Sequence, residues 1–178
     1  MTFKAFNKVE KTENHEAHLA GLYDEYYNKI AHYAYVRIGN KTEAEDIAGE
    51  VFLKALESLR SYQERGIPMQ AWLFKIAHNL VVDHFRKVSK QGTVPIDGVE
   101  IADDNDPEDT ALINLEMERV KIAMQALTEE QREVIRLRFF GGLTSKEAGS
   151  ILNKSDGAVR EMQRAALEKL RQLLGENK

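Results

Sequence analysis

Residues 144–167 read TSKEAGSILNKSDGAVREMQRAAL, and the spacing within this stretch is that of a helix-turn-helix. Gly149 is small where two helices have to cross closely. Asn153, four positions on, is one of the few non-glycine types that tolerates a left-handed turn. Val159 and Met162, three apart, supply the inner face of a second helix. Such a motif holds its second helix in a DNA major groove. The stretch therefore points to duplex reading.

The rest of the chain agrees with a helical setting. Hydrophobic residues make up 43% and charged residues 30%, proline occurs three times and cysteine not at all. Scarce proline and abundant Ala, Leu, Glu, Lys and Arg favour an all-α fold. Without cysteine there is no disulfide, thiolate metal site or cysteine nucleophile, which fits a reducing cytoplasm. Residues 1–18 are polar and mixed in charge, with no apolar signal-type core, and read as an N-terminal tail. No apolar run approaches membrane-spanning length.

A net charge of −4 is unexpected for a DNA binder until it is divided along the chain. Residues 1–88 carry 12 basic and 12 acidic side chains, residues 89–110 one and seven, and residues 111–178 12 and 10. The acidic excess lies in one short segment. That segment contains Gly92, Pro95, Gly98 and Pro107 and has no helical period, so it reads as a flexible linker. It divides the chain into two small helical domains, 19–88 and 111–178. Neither is strongly basic, so affinity for naked DNA should be modest.

In the first domain, Leu22, Tyr26, Ile30, Tyr33 and Val36 form an inward stripe ended by Gly39-Asn40. Thr42 reads as the cap of the next helix, with Glu43, Glu45 and Asp46 in its first turn and Ile47, Val51, Phe52, Ala55 and Leu59 inward. After a loop at 61–68, residues 71–88 form a helix with Trp72, Ile76, Asn79, Leu80 and Asp83 along one side. In the second domain a helix over 111–127 turns Leu115, Val120, Ala123, Met124 and Leu127 mostly inward. Thr128 to Gln131 is a capping box. It opens a helix carrying Val134, Ile135, Leu137 and Phe139 that stops at Gly141-Gly142.

Three stretches in this order resemble an extracytoplasmic-function sigma factor, the small two-domain class of the sigma-70 family. Ala44-Glu45-Asp46-Ile47 through Lys54-Ala55 is similar to the polymerase-binding helix of region 2. Ala71-Trp72-Leu73-Phe74-Lys75-Ile76-Ala77-His78-Asn79, then Asp83 and Arg86-Lys87, is similar to the helix that recognises and melts the −10 element. Leu127 through Ile135, Leu137-Arg138-Phe139-Phe140 and the helix-turn-helix are similar to region 4, the −35 reader. Together they span nearly all of residues 20–174.

The resemblance implies a promoter-specificity subunit rather than an enzyme. Its expected partners are core RNA polymerase (the β′ and β subunits), promoter DNA and an anti-sigma factor, often membrane-bound. It implies no cofactor, metal, catalytic residue or small-molecule substrate. Glu45, Asp46, Glu50, Phe52 and Leu53 are the expected polymerase contacts. Ser61, Gln63, Arg65, Gln70, Trp72, Asn79, Arg86 and Lys87 are those for the −10 element. For the −35 element they are Arg138, Thr144, Lys146, Ser155, Asp156, Ala158, Arg160, Glu161, Gln163 and Arg164. The residue types suit the task, since capture of an unstacked base needs aromatics and polar groups backed by cations. Trp72, Phe74, Asn79, Arg86 and Lys87 supply them. Arg160 and Arg164, four apart, share a helical face suited to guanine edges or phosphates.

Each feature also has an ordinary structural reading. Trp72 at helical spacing with Ile76 and Leu80 is a core pattern, Asn79 and Asp83 could bond to each other, and the acids at 43–46 suit any helix start. Arg160 and Arg164 could be a solvated face. The acidic linker reads as a spacer or as a nucleic-acid mimic. The chain departs from the family pattern at Gly49, at Ala148-Gly149, where thinner packing is expected, at Lys154, and at Ala165, where an arginine is common. A free-standing dimeric helix-turn-helix regulator is the alternative function; an enzyme tethered by the motif lacks catalytic residues.

Overall fold

A computed structural model describes residues 3–59, 62, 67–90 and 118–175, with side chains from residue 15 onward. The described elements are all helical. They are α1 (Phe3–Ile38), α2 (Lys41–Ser58), α3 (Met69–Lys90), α4 (118–125), α5 (Glu129–Ile135), a π-helical turn (Arg136–Phe140), α6 (Ser145–Leu152) and α7 (Asp156–Gly175).

The first domain is α1, α2 and α3 around a shared apolar core. Ile30, Tyr33, Ala48, Val51, Leu73, Phe74, Ala77 and Val81 are wholly buried there. On α1 the buried register runs Ile30, Tyr33, Ala34, Arg37. Arg37 thus takes the inward position that the apolar pattern assigns to Val36. The expected N-terminal tail is helical from Phe3. Residues 3–18 hold helix formers and no Pro or Gly, so the helix that buries Leu19 and Leu22 propagates backward at little cost.

The cap of α2 also differs from expectation. Gly39 takes φ 76° and reverses the chain, leaving Asn40 as the first extended residue, whose side chain accepts from the Glu43 amide at 3.1 Å. Thr42 already lies inside the helix, and Asn is at least as good a cap. At the far end of the domain, α3 runs through Lys90, two residues past the expected end of the domain at 88.

In the second domain the Thr128 cap is as read, and Thr144, expected at DNA, is a second cap. Thr128 and Gln131 form a reciprocal capping box, and Thr144 with Glu147 forms another at the start of α6. Two apolar residues depart from the pattern. Val120 and Phe139 are exposed rather than inward. For Phe139 the cause is the π turn, closed by the Gly141 amide donating to the Arg136 carbonyl at 3.1 Å. One extra residue in that turn rotates the later side chains off the α-helical stripe.

The helix-turn-helix itself holds. Asn153 adopts φ 55° and ψ 42°, ending α6 in the left-handed conformation. Gly149 is required by close approach: a Cβ there would lie 2.6 Å from the Lys154 carbonyl oxygen. The packing at this corner is therefore tighter than the family departure suggests, not thinner. Lys154 turns outward to Glu130 at 2.6 Å, which explains a lysine at that position.

The cores are not divided at the linker. Val134, Leu137, Leu143, Ala148, Ile151 and Val159 belong to the same buried cluster as the α1–α3 core. Only Leu127, Ile135 and Ala166, with Met124, Leu167 and Leu170 against them, form a second, smaller cluster.

The Gly149→Ala variant is expected to lose about 1–3 kcal/mol, because the obstructing atom is backbone and moves only with the turn. Gly49→Ala, where a Cβ meets nothing within 4 Å, should gain up to about 1 kcal/mol. Urea unfolding midpoints of the two variants test this pair.

Candidate nucleic-acid interface

The side of α3 marked by Trp72, Ile76, Asn79, Leu80 and Asp83 lines a cleft of about 500 Å³. Lys54, Glu57 and Ser58 from the end of α2 form the facing wall, with Tyr62 and Ile67 between. Trp72 is half-buried with its ring 4.7 Å from that of Tyr62, tilted by 37°. Tyr62 is in turn fixed by its hydroxyl, which donates to the Ile67 carbonyl at 3.2 Å. The two readings of Trp72 merge here: it packs against the core and also forms a wall of the cleft.

Asn79 is exposed, and Asp83 turns to Arg86 at 3.3 Å. Arg86 and Lys87 are exposed beyond the cleft and Gln70 is half-buried. Phe74 is not available to a base; it is wholly buried, edge-on to Tyr33 at 5.7 Å. Ser61, Gln63 and Arg65 lie outside the described residues.

On α2 the structure separates the expected contacts. Glu45, Asp46, Glu50 and Leu53 are exposed, whereas Phe52 is buried against Tyr23, 4.9 Å between ring centroids. Phe52 supports the face rather than forming it. Leu56, which the pattern did not single out, joins Leu53 outside, 53% and 63% exposed respectively. The signal was there: Leu53 and Leu56 are three apart and out of phase with the inward Val51, Phe52 and Ala55.

At the second helix of the helix-turn-helix, Ser155 caps the first turn by accepting from the Ala158 amide at 3.1 Å. Asp156 accepts from the Ser145 hydroxyl at 2.5 Å and also pairs with Arg160. The Ser145 hydrogen bond, followed by the Arg160 charge, holds the Asp156 carboxyl below its usual range. Arg164 pairs with Glu161 at 3.0 Å and Glu168 at 3.4 Å. These exposed pairs are worth little and exchange readily for phosphate or base contacts. Lys146 is exposed, whereas Thr144 is occupied as a cap. Arg138 and Gln163, both expected at DNA, bind each other at 2.7 Å, half-buried.

A polar centre that the pattern did not mark lies between the two domains. Glu133 is buried and accepts from the Tyr33 hydroxyl. Its carboxylate also lies 3.2 Å from His78 Nδ1, 3.4 Å from Arg37 and 3.4 Å from Arg136. Glu129, half-exposed, adds contacts to Arg37 at 3.5 Å and Arg136 at 3.3 Å. Burial alone would raise the Glu133 pKa; the hydrogen bond from His78, the Arg37 charge and the Tyr33 hydroxyl outweigh it and hold the group at about 2. Burial and the adjacent Glu133 push the Tyr33 phenol well up. Nearby, Gly141 brings its backbone against the Phe74 ring, and Phe140 meets His32 edge-on at 5.1 Å.

The Sigma-70 region 2 family model matches residues 22–91, and that for Sigma-70, region 4 matches residues 123–172. The ECF RNA polymerase sigma factor SigW of Bacillus subtilis is 31% identical over 185 residues, covering 98% of this chain and 97% of that one. The chain belongs to the ECF sigma factors of the sigma-70 family. A second relative, the ECF RNA polymerase sigma factor BldN of Streptomyces coelicolor, is 36% identical over 171 residues. That alignment covers 93% of this chain and 64% of BldN, so the chain spans just under two thirds of that relative's length. Among solved structures, the sigma factor RpoE of Bartonella quintana, in complex with the anti-sigma factor NepR, shares the fold. Its TM-score is 0.66 at 22% identity, over 89% of this chain and 98% of that chain. No helix among the described residues is long and apolar enough to cross a membrane, and no cluster among them could hold a metal ion.

In this ECF sigma factor the buried polar centre was not legible in the sequence. One cue existed: Glu133 falls one residue before Val134 and four before Leu137, on the apolar side of its helix.

Removing the carboxylate should be costly. Glu133→Ala leaves the buried guanidinium groups of Arg37 and Arg136 with the half-exposed Glu129 as their remaining carboxylate contact, a loss of about 3 kcal/mol. The facing groups are Tyr33 and Arg37 on α1, His78 on α3, and Arg136 with Glu129 on the α5 side. Because the folded pKa of Glu133 is depressed, its contribution is complete above the ordinary value of 4.5 and is lost as pH falls toward about 2. The stability advantage of wild type over Glu133→Gln should therefore be constant near pH 6 and shrink between pH 4 and 2, by denaturant titration.

Proposed function

We propose that this ECF sigma factor binds core RNA polymerase and directs it to two-part promoters, by non-covalent capture of DNA rather than catalysis. The observation that carries the reading is the cleft beside α3. It combines an aromatic wall at Trp72, an exposed amide at Asn79 and cations at Lys54 and Lys75, with Arg86 and Lys87 exposed beyond it. A flipped base presents an apolar face and a hydrogen-bonding edge, and its phosphates need cations, which is what this cleft offers. The −10 element is accordingly assigned to the cleft.

The −35 element is assigned to the exposed side of α7, with Arg160, Glu161 and Arg164 reading bases or phosphates and Lys146 on the backbone. Gln163 and Arg138 brace α7 against the π turn. The polymerase surface is the α2 face of Glu45, Asp46, Glu50, Leu53 and Leu56, an apolar pair ringed by carboxylates suited to a basic surface of β′. The β subunit is the expected second contact. The near-neutral domains fit a factor that relies on polymerase for much of its phosphate grip. An anti-sigma factor that covers these faces is the expected regulator, and the cytoplasm the expected compartment.

Run-off transcription with purified core polymerase tests the reading, which predicts promoter-dependent transcripts only when the chain is added. Trp72→Ala should lower open-complex formation by about 1–3 kcal/mol, roughly five- to 150-fold, without weakening core binding. Arg160→Ala should cost about 1–3 kcal/mol of discrimination at one −35 position. No transcript from any genomic template, with tight operator binding by the chain alone, would instead identify a free-standing regulator.

A further inference from the structure

We propose that His15, one turn ahead of the buried stripe on α1, orients the aromatic wall of the cleft and so takes part in capture of the −10 base. The inference rests on the reading of the chain as an initiation factor and adds a positioning residue to that site. His15 lies ahead of residues 22–91, the segment that the region 2 model matches, and none of the expected DNA contacts falls on α1. Its ring meets that of Tyr62 edge-on, with centroids 5.3 Å apart and planes at 79°. Tyr62 in turn lies 4.7 Å from the Trp72 ring. Rings from α1, from between α2 and α3, and from α3 thus form one series that ends in the cleft.

Helical register delivers His15 to this place. His15, Leu19, Leu22 and Tyr26 follow one another at spacings of four, three and four, and so share one face of α1. Leu19 and Leu22 are buried in the first domain's core, and Tyr26 packs against it. On the other faces of the same turn Glu16, Ala17 and His18 are exposed, whereas His15 is half-buried. The core fixes the rotation of α1 at Leu19, and that rotation carries the His15 ring onto Tyr62 one turn further out.

The anchoring of Tyr62 leaves this contact a task. Its amide donates to the Ser58 and Leu59 carbonyls, each at 3.1 Å, and its hydroxyl donates to the Ile67 carbonyl at 3.2 Å. Bonds at both ends hold the long axis of the side chain, but the plane of the ring about that axis is set by neighbouring rings. Trp72 and His15 are those neighbours, and both Tyr62 and Trp72 line the cleft. A base stacked on such a wall is held only as well as the wall is oriented. Loss of one edge-on aromatic partner corresponds to about a two- to tenfold change in the population of the oriented wall.

Trp72 is the one tryptophan in the sequence, so its emission reports on the wall directly. In the free full chain, His15→Ala should raise acrylamide quenching of Trp72 roughly twofold, with unchanged far-UV circular dichroism. His15→Phe, which keeps a ring at this place, should quench as wild type does. With core polymerase, on a promoter found by run-off transcription, His15→Ala should lower open-complex formation about two- to tenfold without weakening core binding, and His15→Phe should restore it. An abasic site placed in turn at each nontemplate position of the −10 element should erase the difference between wild type and His15→Ala at the captured base and leave it elsewhere. A residue that merely stabilises α1 would not show that dependence. Equal quenching of wild type and His15→Ala overturns the positioning role, as does an open-complex defect that persists at every abasic position. A wild type that gives no transcript from any template defeats the initiation-factor reading and the part in base capture with it, while the quenching result decides separately whether His15 orients the wall.

Discussion

The carboxylate of Glu133, buried among a phenol, an imidazole and two guanidinium groups, is the interaction on which the arrangement of this molecule depends. A buried charge is tolerated only when its partners are in place. Those partners come from α1, α3 and the π turn, which have to be mutually positioned before the centre is complete. Tyr33 and Glu133 lie 100 residues apart in the chain. One small cluster therefore sets where the C-terminal domain sits on the N-terminal one, and the apolar packing of Leu137, Leu143 and Phe74 follows from the same placement.

Elsewhere the molecule is organised by local rules. Capping boxes at Thr128 and Thr144 start α5 and α6, Asn153 ends α6 in a left-handed turn, and Gly149 lets the corner close. The result is a firmly held second helix whose cations are paired with carboxylates of the same helix. Self-pairing of Arg160 with Asp156 and of Arg164 with Glu161 keeps that surface near neutral until stronger anions are supplied. The first domain follows the same logic: Trp72 is braced by Tyr62 on one side and opens into the cleft on the other.

Where the pattern failed, the failures have physical causes. Phe139 points outward because a π turn adds a residue that no helical period anticipates. Phe52 and Phe74, aromatic candidates for contact, are buried because the domain is small and its largest apolar side chains are needed for its core. Gln163 and Arg138 look like free polar groups on separate helices, and only the packing of α7 on the π turn brings them within 2.7 Å. Arg37, which the apolar stripe passes over in favour of Val36, takes the inward place on α1 with Glu133 facing it.

The motifs carried the resemblance to a sigma factor, and residue order was enough to establish the helical class and the helix-turn-helix. These rest on period, caps and spacing within 20 residues or so, where neighbours along the chain are neighbours in space. Packing in three dimensions was needed to settle which aromatic residues are core and which are surface, and how the second domain lies on the first. It also turned a glutamate in a solvent-like run into the centre of a buried ionic cluster. Those outcomes depend on contacts between residues 25 to 100 apart, and no local pattern encodes which distant group will arrive to satisfy a buried charge.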